Sequence, residues 1–191
     1  ALDAAGMTLA TVYDDAPYKY LDTNRPIRNF YNGYRGYSTI REAISDSMNI
    51  IAAKTIADVT PQKSYEYLLD LGFDTLVDDK ELDDGTTSTD IHQSLSLGGL
   101  TNGVTNLELT NAFASIANGG TYYEPKLYTK VVDQSGNVLL SSDTSGKKVM
   151  KKTTSFLLTD AMKDVITDGT GTDAQLSSDM AVAGKSGTTS D

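Results

Sequence analysis

The chain contains no cysteine and only one histidine, His92. Thiol catalysis, disulfide stapling, cysteine-rich zinc sites and any motif built on two imidazoles are therefore excluded. Positive charge is also scarce: 16 Lys and Arg stand against 26 Asp and Glu, for a formal net charge of -10. Such a surface repels phosphate backbones, which argues against nucleic acid as a partner. No apolar run approaches the roughly 20 residues a membrane-spanning helix needs, and the start lacks the basic and apolar character of a signal peptide. Hydroxyls, carboxylates, amines and amides remain as the available chemistry. What is present is a 191-residue chain, 39% hydrophobic and 22% charged, with 16 Gly and 4 Pro. That composition excludes disordered, collagenous and coiled-coil classes and suits one domain with its own core. Both ends, at Ala1 and after AGKSGTTSD, are expected to be cuts inside a longer protein.

Along the chain, six tyrosines precede residue 38 (Tyr13, Tyr18, Tyr20, Tyr31, Tyr34 and Tyr37) among Pro17, Pro26, Gly33 and Gly36. Aromatics mixed with turn formers and lacking a helical period predict irregular structure packed on a neighbouring surface, in preference to a binding surface. Thr39 and Glu42 spell a capping box at a helix start, with Ile40, Ala43 and Ile44 on one face. After the polar insert Ser45 to Asn49, a second apolar group (Ile50, Ile51, Ala53, Ile56) resumes. A further helix is expected from Pro61, capped by Thr60, through Tyr65, Leu68 and Leu69 to Gly72. The acidic stretch 74–94 has the residue types of a calcium loop at the wrong spacing, with Gly85 seventh from Asp79, and reads as a solvated loop. Thr105 and Glu108 form a second capping box, ahead of a core helix whose stripe is Leu109, Phe113, Ile116 and Ala117. A hairpin is expected with arms 126–132 and 138–140 around Asp133 to Asn137, then a helix from Thr154 to Thr167 with Leu158, Met162, Val165 and Ile166 on one face. Met180 to Thr189 reads as a strand. The fold class is α+β, one unit over residues 1–191, with helices packed on an incomplete antiparallel sheet.

Two short polar motifs stand out, Ser47-Met48-Asn49 between two helices and Lys185-Ser186-Gly187-Thr188 near the end. Alone, each is as ordinary as a helix cap and a strand end. Together, and in this order, they resemble the S-x-N and K-[ST]-G motifs of the penicillin-binding protein and serine β-lactamase superfamily, which accompany a catalytic S-x-x-K. The flanks GYSTIREAISDSMNIIAAK, SLGGLTNGVTNLELTNAFASIANGGTYYEP and VITDGTGTDAQL, followed by VAGKSGTTSD, are similar to the transpeptidase domain of class A penicillin-binding proteins over nearly the whole chain. No S-x-x-K precedes Ser47. The one match, Ser145 to Lys148, falls between the other two motifs in a polar turn and reads as coincidence. The nucleophile is therefore expected on a helix outside this chain, and this chain alone is expected to be inactive.

The resemblance implies a D-alanyl-D-alanine transpeptidase that cross-links peptidoglycan stem peptides through a serine acyl-enzyme, takes β-lactams on the same serine, and needs no cofactor and no metal. Catalytic roles would fall to Ser47, Asn49 and Lys185. Ser47 can relay a proton if a neighbouring ammonium fixes its hydrogen-bond direction, Lys185 can supply that ammonium, and Asn49 offers an amide donor and acceptor to a peptide. Substrate binding would fall to Ser186, Gly187, Thr188 and Thr189. Hydroxyls two apart on a strand face the same side and suit one carboxylate, a glycine between them admits a close backbone, and the Thr188 amide would form half of an oxyanion hole. The parent would be anchored on the extracytoplasmic face of the cytoplasmic membrane, with missing segments of the same polypeptide as partners. The alternative is a non-catalytic extracellular module that keeps a penicillin-recognising fold for binding or scaffolding. β-Lactam hydrolysis would need a deacylating base, for which no persuasive candidate exists.

Overall fold

The computed structural model describes residues 1–188 except Thr144. The tyrosine-rich start folds into two short ladders. Strands β1 (Val12–Asp15) and β4 (Gly36–Thr39) pair antiparallel, Asp15 opposite Gly36, and between them β2 (Tyr18–Lys19) pairs with β3 (Pro26–Ile27). Their common anchor is a buried charge. Asp15 is fully buried, a placement that is costly unless its oxygens are saturated, and it accepts from Asn29 Nδ2 at 2.8 Å, Tyr31 Oη at 2.7 Å and the Arg35 amide at 2.9 Å. Burial first, and then this acceptor, push the Tyr31 hydroxyl well above its ordinary pKa. Tyr18 and Tyr20 pack on buried Ile27, Ile50 and Ala53. Packing is thus what most of these tyrosines do, although Tyr34 and Tyr37 stay 53% and 83% exposed.

Three helices follow in quick succession. Helix α1 (Ile40–Ser45) opens with the expected Thr39–Glu42 capping box. Helix α2 (Asn49–Val59) is the most deeply buried, with Ile50, Ile51, Ala53 and Ile56 each at most 5% exposed. Burying an isoleucine contributes about 1.5–3 kcal/mol, and α2 supplies residues to two buried clusters, Ile50 and Ala53 with Ile27, and Ile56 with Tyr65 and Leu95. No side chain of its own caps it. Asn29 Oδ1 instead accepts from the Ile50 amide at 3.2 Å, which ties the N-terminus of α2 through Asn29 to Asp15. Helix α3 (Pro61–Asp70) starts with proline at its first position after the Thr60 cap, as expected. Beyond it the acidic stretch forms a minimal hairpin, β5 (Lys80–Glu81) with β6 (Thr87–Ser88), whose Asp84 carboxylate is occupied by the Thr86 amide and hydroxyl. A 3-10 turn over Gln93–Leu97 lies against α2, where Gln93 Nε2 donates to Ala53 O at 2.7 Å.

Helix α4 (Asn106–Ala117) has the second capping box, but it buries a different face from the one its apolar spacing indicates. Glu108, Ala112 and Ser115 are inside, while Leu109 and Phe113 are 46% and 38% exposed. Polar residues can occupy that face because they are saturated: the Ser115 hydroxyl donates to Asn111 O, and Glu108 accepts from the amides of Asp74, Thr75 and Thr105. Strand β7 (Thr121–Tyr122), the hairpin β8 (Lys130–Val132) and β9 (Val138–Ser141), and β10 (Lys147–Lys148), which pairs with β7, lead to α5 (Lys152–Thr167). Helix α5 buries Met162, Val165 and Ile166 as the sequence indicates. Arg41 on α1 donates to Asp164 at 2.5 Å and Asp160 at 2.9 Å, locking α1 to α5. The class is mixed α and β, with the described strands arranged as antiparallel pairs. One expectation is corrected. Residues 180–188 form no strand, because no described segment runs alongside to complete a ladder; instead, Gly184 N donates to Met162 O of α5 at 3.2 Å.

Candidate active site

Helices α1 and α2 meet at Asp46, Ser47 and Met48. Met48 is 2% exposed and pins the junction from inside, and its amide donates to Ala43 O at 3.0 Å. To turn between the helices in so few residues the backbone enters the left-handed region at Ser47, φ 51°. A non-glycine residue in that region costs about 1–2 kcal/mol. The turn holds the Ser47 side chain off both helices, towards the segment that follows α5.

Lys185 comes from the other end of the chain. Its Nζ donates to Ser47 Oγ at 2.7 Å across a sequence separation of 138 residues, and to Ser186 O at 3.0 Å. Partial burial lowers the Lys185 ammonium below its ordinary pKa. Asn49, the first residue of α2, donates from Nδ2 to Arg28 O at 2.8 Å, which fixes its position, and among the described residues nothing donates to its Oδ1. Ser47, Asn49, Lys185, Ser186, Gly187 and Thr188 all line one cleft of about 1080 Å³, which is also lined by apolar residues of α1 and α2, including Ile40, Ile51 and Ile56. A side chain at Gly187 would meet nothing within 4 Å, in keeping with an open approach.

Six of the seven residues singled out from the sequence therefore converge, and Thr189 lies outside the described residues. Ser186 and Thr188 are not held by a strand. Ser186 is oriented instead by Thr170, whose hydroxyl lies 2.5 Å from Ser186 Oγ. Thr170 and Arg41 lie in the family-like flanks VITDGTGTDAQL and GYSTIREAISDSMNIIAAK and Asp15 in none, but the supporting contacts of all three are missed by sequence reading. The Ser145–Lys148 match has no part in the cleft, since Ser145 Oγ bonds Asp143 and Lys148 Nζ donates to Gly119 O. Chemically, the arrangement offers a hydroxyl held by an ammonium, a fixed side-chain amide and a group of small polar residues, in a cleft that apolar side chains also line.

The fold thus brings a serine and a lysine together from two distant segments. Residues 1–191 match the penicillin binding protein transpeptidase domain model, and the chain belongs to that family. Penicillin-binding protein 1A of Streptococcus pneumoniae is 35% identical over 94% of this chain and 24% of its own length. Penicillin-binding protein 1A of Clostridium botulinum is 36% identical over 100% of this chain and 23% of its own. The chain thus spans about a quarter of these relatives. The D,D-transpeptidase domain of a peptidoglycan glycosyltransferase from Eggerthella lenta shares the fold, with a TM-score of 0.74 and 21% identity over 100% of this chain and 51% of that one. Penicillin-binding protein 3 of Mycobacterium tuberculosis, solved with aztreonam, shares it with a TM-score of 0.72 and 16% identity over 92% of this chain and 42% of that one.

Proposed function

We propose that this chain is the part of a serine D,D-transpeptidase that supplies the proton-relay and carboxylate-binding side of the active site. The 2.7 Å bond from Lys185 Nζ to Ser47 Oγ carries the reading. In the proposed reaction a serine outside these residues attacks the carbonyl of a stem-peptide D-Ala-D-Ala bond. The C–N bond breaks, the departing D-Ala amine takes up a proton relayed through Ser47, and an acyl ester remains. An amine of a neighbouring strand then attacks the ester, forms the new amide and returns the proton to the serine. Lys185 keeps the Ser47 hydroxyl directed towards the leaving group. Lys185 also supplies local positive potential for a carboxylate on an otherwise acidic protein, and Ser186, Thr188 and Thr189 add hydroxyl donors. Asn49 aligns the peptide backbone. β-Lactams would acylate the same serine, and no cofactor or metal is invoked. The nucleophile is assigned outside these residues because no Ser-x-x-Lys precedes Ser47 and Ser145 is remote from the cleft.

The site is assigned to the extracytoplasmic face of the cytoplasmic membrane, with an anchor elsewhere in the parent; among the described residues no helix is long and apolar enough to cross a bilayer. Mapping of a benzylpenicillin adduct by mass spectrometry tests the reading. The isolated chain should gain no mass, and the longer protein should gain one penicilloyl group on a serine outside residues 1–191. An adduct on Ser47, Ser145 or Ser186 would overturn the assignment of the nucleophile. A longer protein that stays unmodified would favour a non-catalytic module.

A further inference from the structure

Helix α5 is followed by Gly169-Thr170-Gly171, a turn that touches both halves of the site. The Thr170 amide donates to Ser45 O at 3.2 Å, two residues before Ser47, and its hydroxyl donates more weakly to the same oxygen at 3.5 Å. The same hydroxyl lies 2.5 Å from Ser186 Oγ, next to Lys185. The turn is itself fixed, since Gly171 N donates to Val165 O at 2.8 Å and Gln175 Nε2 to Ile166 O at 2.8 Å. It is also pressed close: a Cβ at Gly169 would run into the carbonyl oxygen and hydroxyl of Ser45.

We propose that Thr170 is a positioning residue that holds the Ser47 turn and the Lys185–Ser186 segment at a fixed separation and directs the Lys185 ammonium to Ser47. This deepens the transpeptidase reading and rests on it. The argument is one of tethering. Lys185 Nζ reaches Ser47 Oγ at 2.7 Å only while the segment that carries it keeps its distance from the α1–α2 turn. Thr170 spans that distance, with its amide on Ser45 O and its hydroxyl on Ser186 Oγ, and either hydroxyl of the second pair can be the donor. Without the Thr170 hydroxyl the Ser186 end of the tether is lost, and the Lys185 ammonium is held less closely on Ser47. When a carboxylate reaches Ser186, the Thr170 hydroxyl can donate to Ser186 Oγ and leave the Ser186 proton for the ligand.

The test uses the longer protein, benzylpenicillin and two readouts, the second-order acylation rate constant and the melting temperature. Thr170→Val, which keeps the shape and removes the hydroxyl, should slow acylation about tenfold, the usual worth of one well-placed hydrogen bond. Its melting temperature should stay at the wild-type value, and Thr170→Ser should restore the wild-type rate. The proposal is overturned if Thr170→Val acylates at the wild-type rate, if Thr170→Ser is as slow as Thr170→Val, or if rate and melting temperature fall together. Ser47→Ala and Lys185→Ala separate the two levels of the argument. Should they be slow while Thr170→Val is fast, only the role of Thr170 falls; should all three be fast, the transpeptidase reading falls with it.

Discussion

Ser47 sits in a backbone conformation that glycine would adopt more readily, φ 51°, at the junction where Met48 is already buried. Retaining a serine there costs about 1 kcal/mol relative to glycine. Asn24 and Thr60 also take positive φ, so what singles out Ser47 is its hydroxyl, 2.7 Å from an ammonium drawn from the far end of the chain. The expected outcome for Ser47→Gly in the longer protein is therefore a split. Its melting temperature should equal or exceed that of the wild type, while penicillin acylation slows by about two orders of magnitude or more, the typical contribution of a positioned proton-transfer group. Calorimetry and stopped-flow acylation check the two halves. Loss of stability alongside rate would show that the hydroxyl serves the fold. The identities of Ser47, Asn49 and Lys185 are legible in two short motifs and their flanks. The strain at Ser47 is not, because it arises where two helices with separate caps are forced to meet.

Helix α4 shows how far an element can be read from its period. The Thr105–Glu108 capping box marks its start, and Asn118-Gly119-Gly120 marks its end. Its apolar stripe is turned away from the buried face, with Ile116 packing on the core and Leu109 and Phe113 left outside, because Glu108 does more than cap. Burial alone would raise the Glu108 carboxyl, but hydrogen bonds from the Thr105 amide and hydroxyl and from the Thr75 and Asp74 amides bring it down to about 2. One carboxylate thereby joins α4 to the chain that follows α3, and no helical period records a loop 33 and 34 residues away that donates to a side chain. The linkage has a definite sign. A group at about 2 when folded and near 4.5 when unfolded stabilises the fold fully above pH 4.5 and loses that contribution as the pH falls towards 2. The gap in melting temperature between wild type and Glu108→Gln should be largest near neutral pH and shrink steadily below pH 4.5. A gap independent of pH would mean that shape, not charge, makes the Glu108 contacts. The terminal segment 180–188 is misread for a related reason: its residues suit a strand, but strand formation depends on a neighbour, and its described backbone bond runs to α5.

For the whole molecule, the site is a meeting of two segments that share no local structure. Helices α1 and α2 present Ser47 and Asn49, steadied by Asp15 through Asn29 and by Arg41 against α5. The chain beyond α5 presents Lys185 and Ser186, steadied by Thr170. Motif order indicates which residues should meet, but only the fold shows that they do and through which supports. The central claim is that Lys185 acts through Ser47, and a double-mutant cycle on penicillin acylation of the longer protein tests it most directly. With Ser47→Gly and Lys185→Ala made singly and together, the double variant should be scarcely slower than the slower single variant, because either change alone already breaks the pair. Rate losses that multiply, with each substitution costing the same factor whether or not the other is present, would contradict the account.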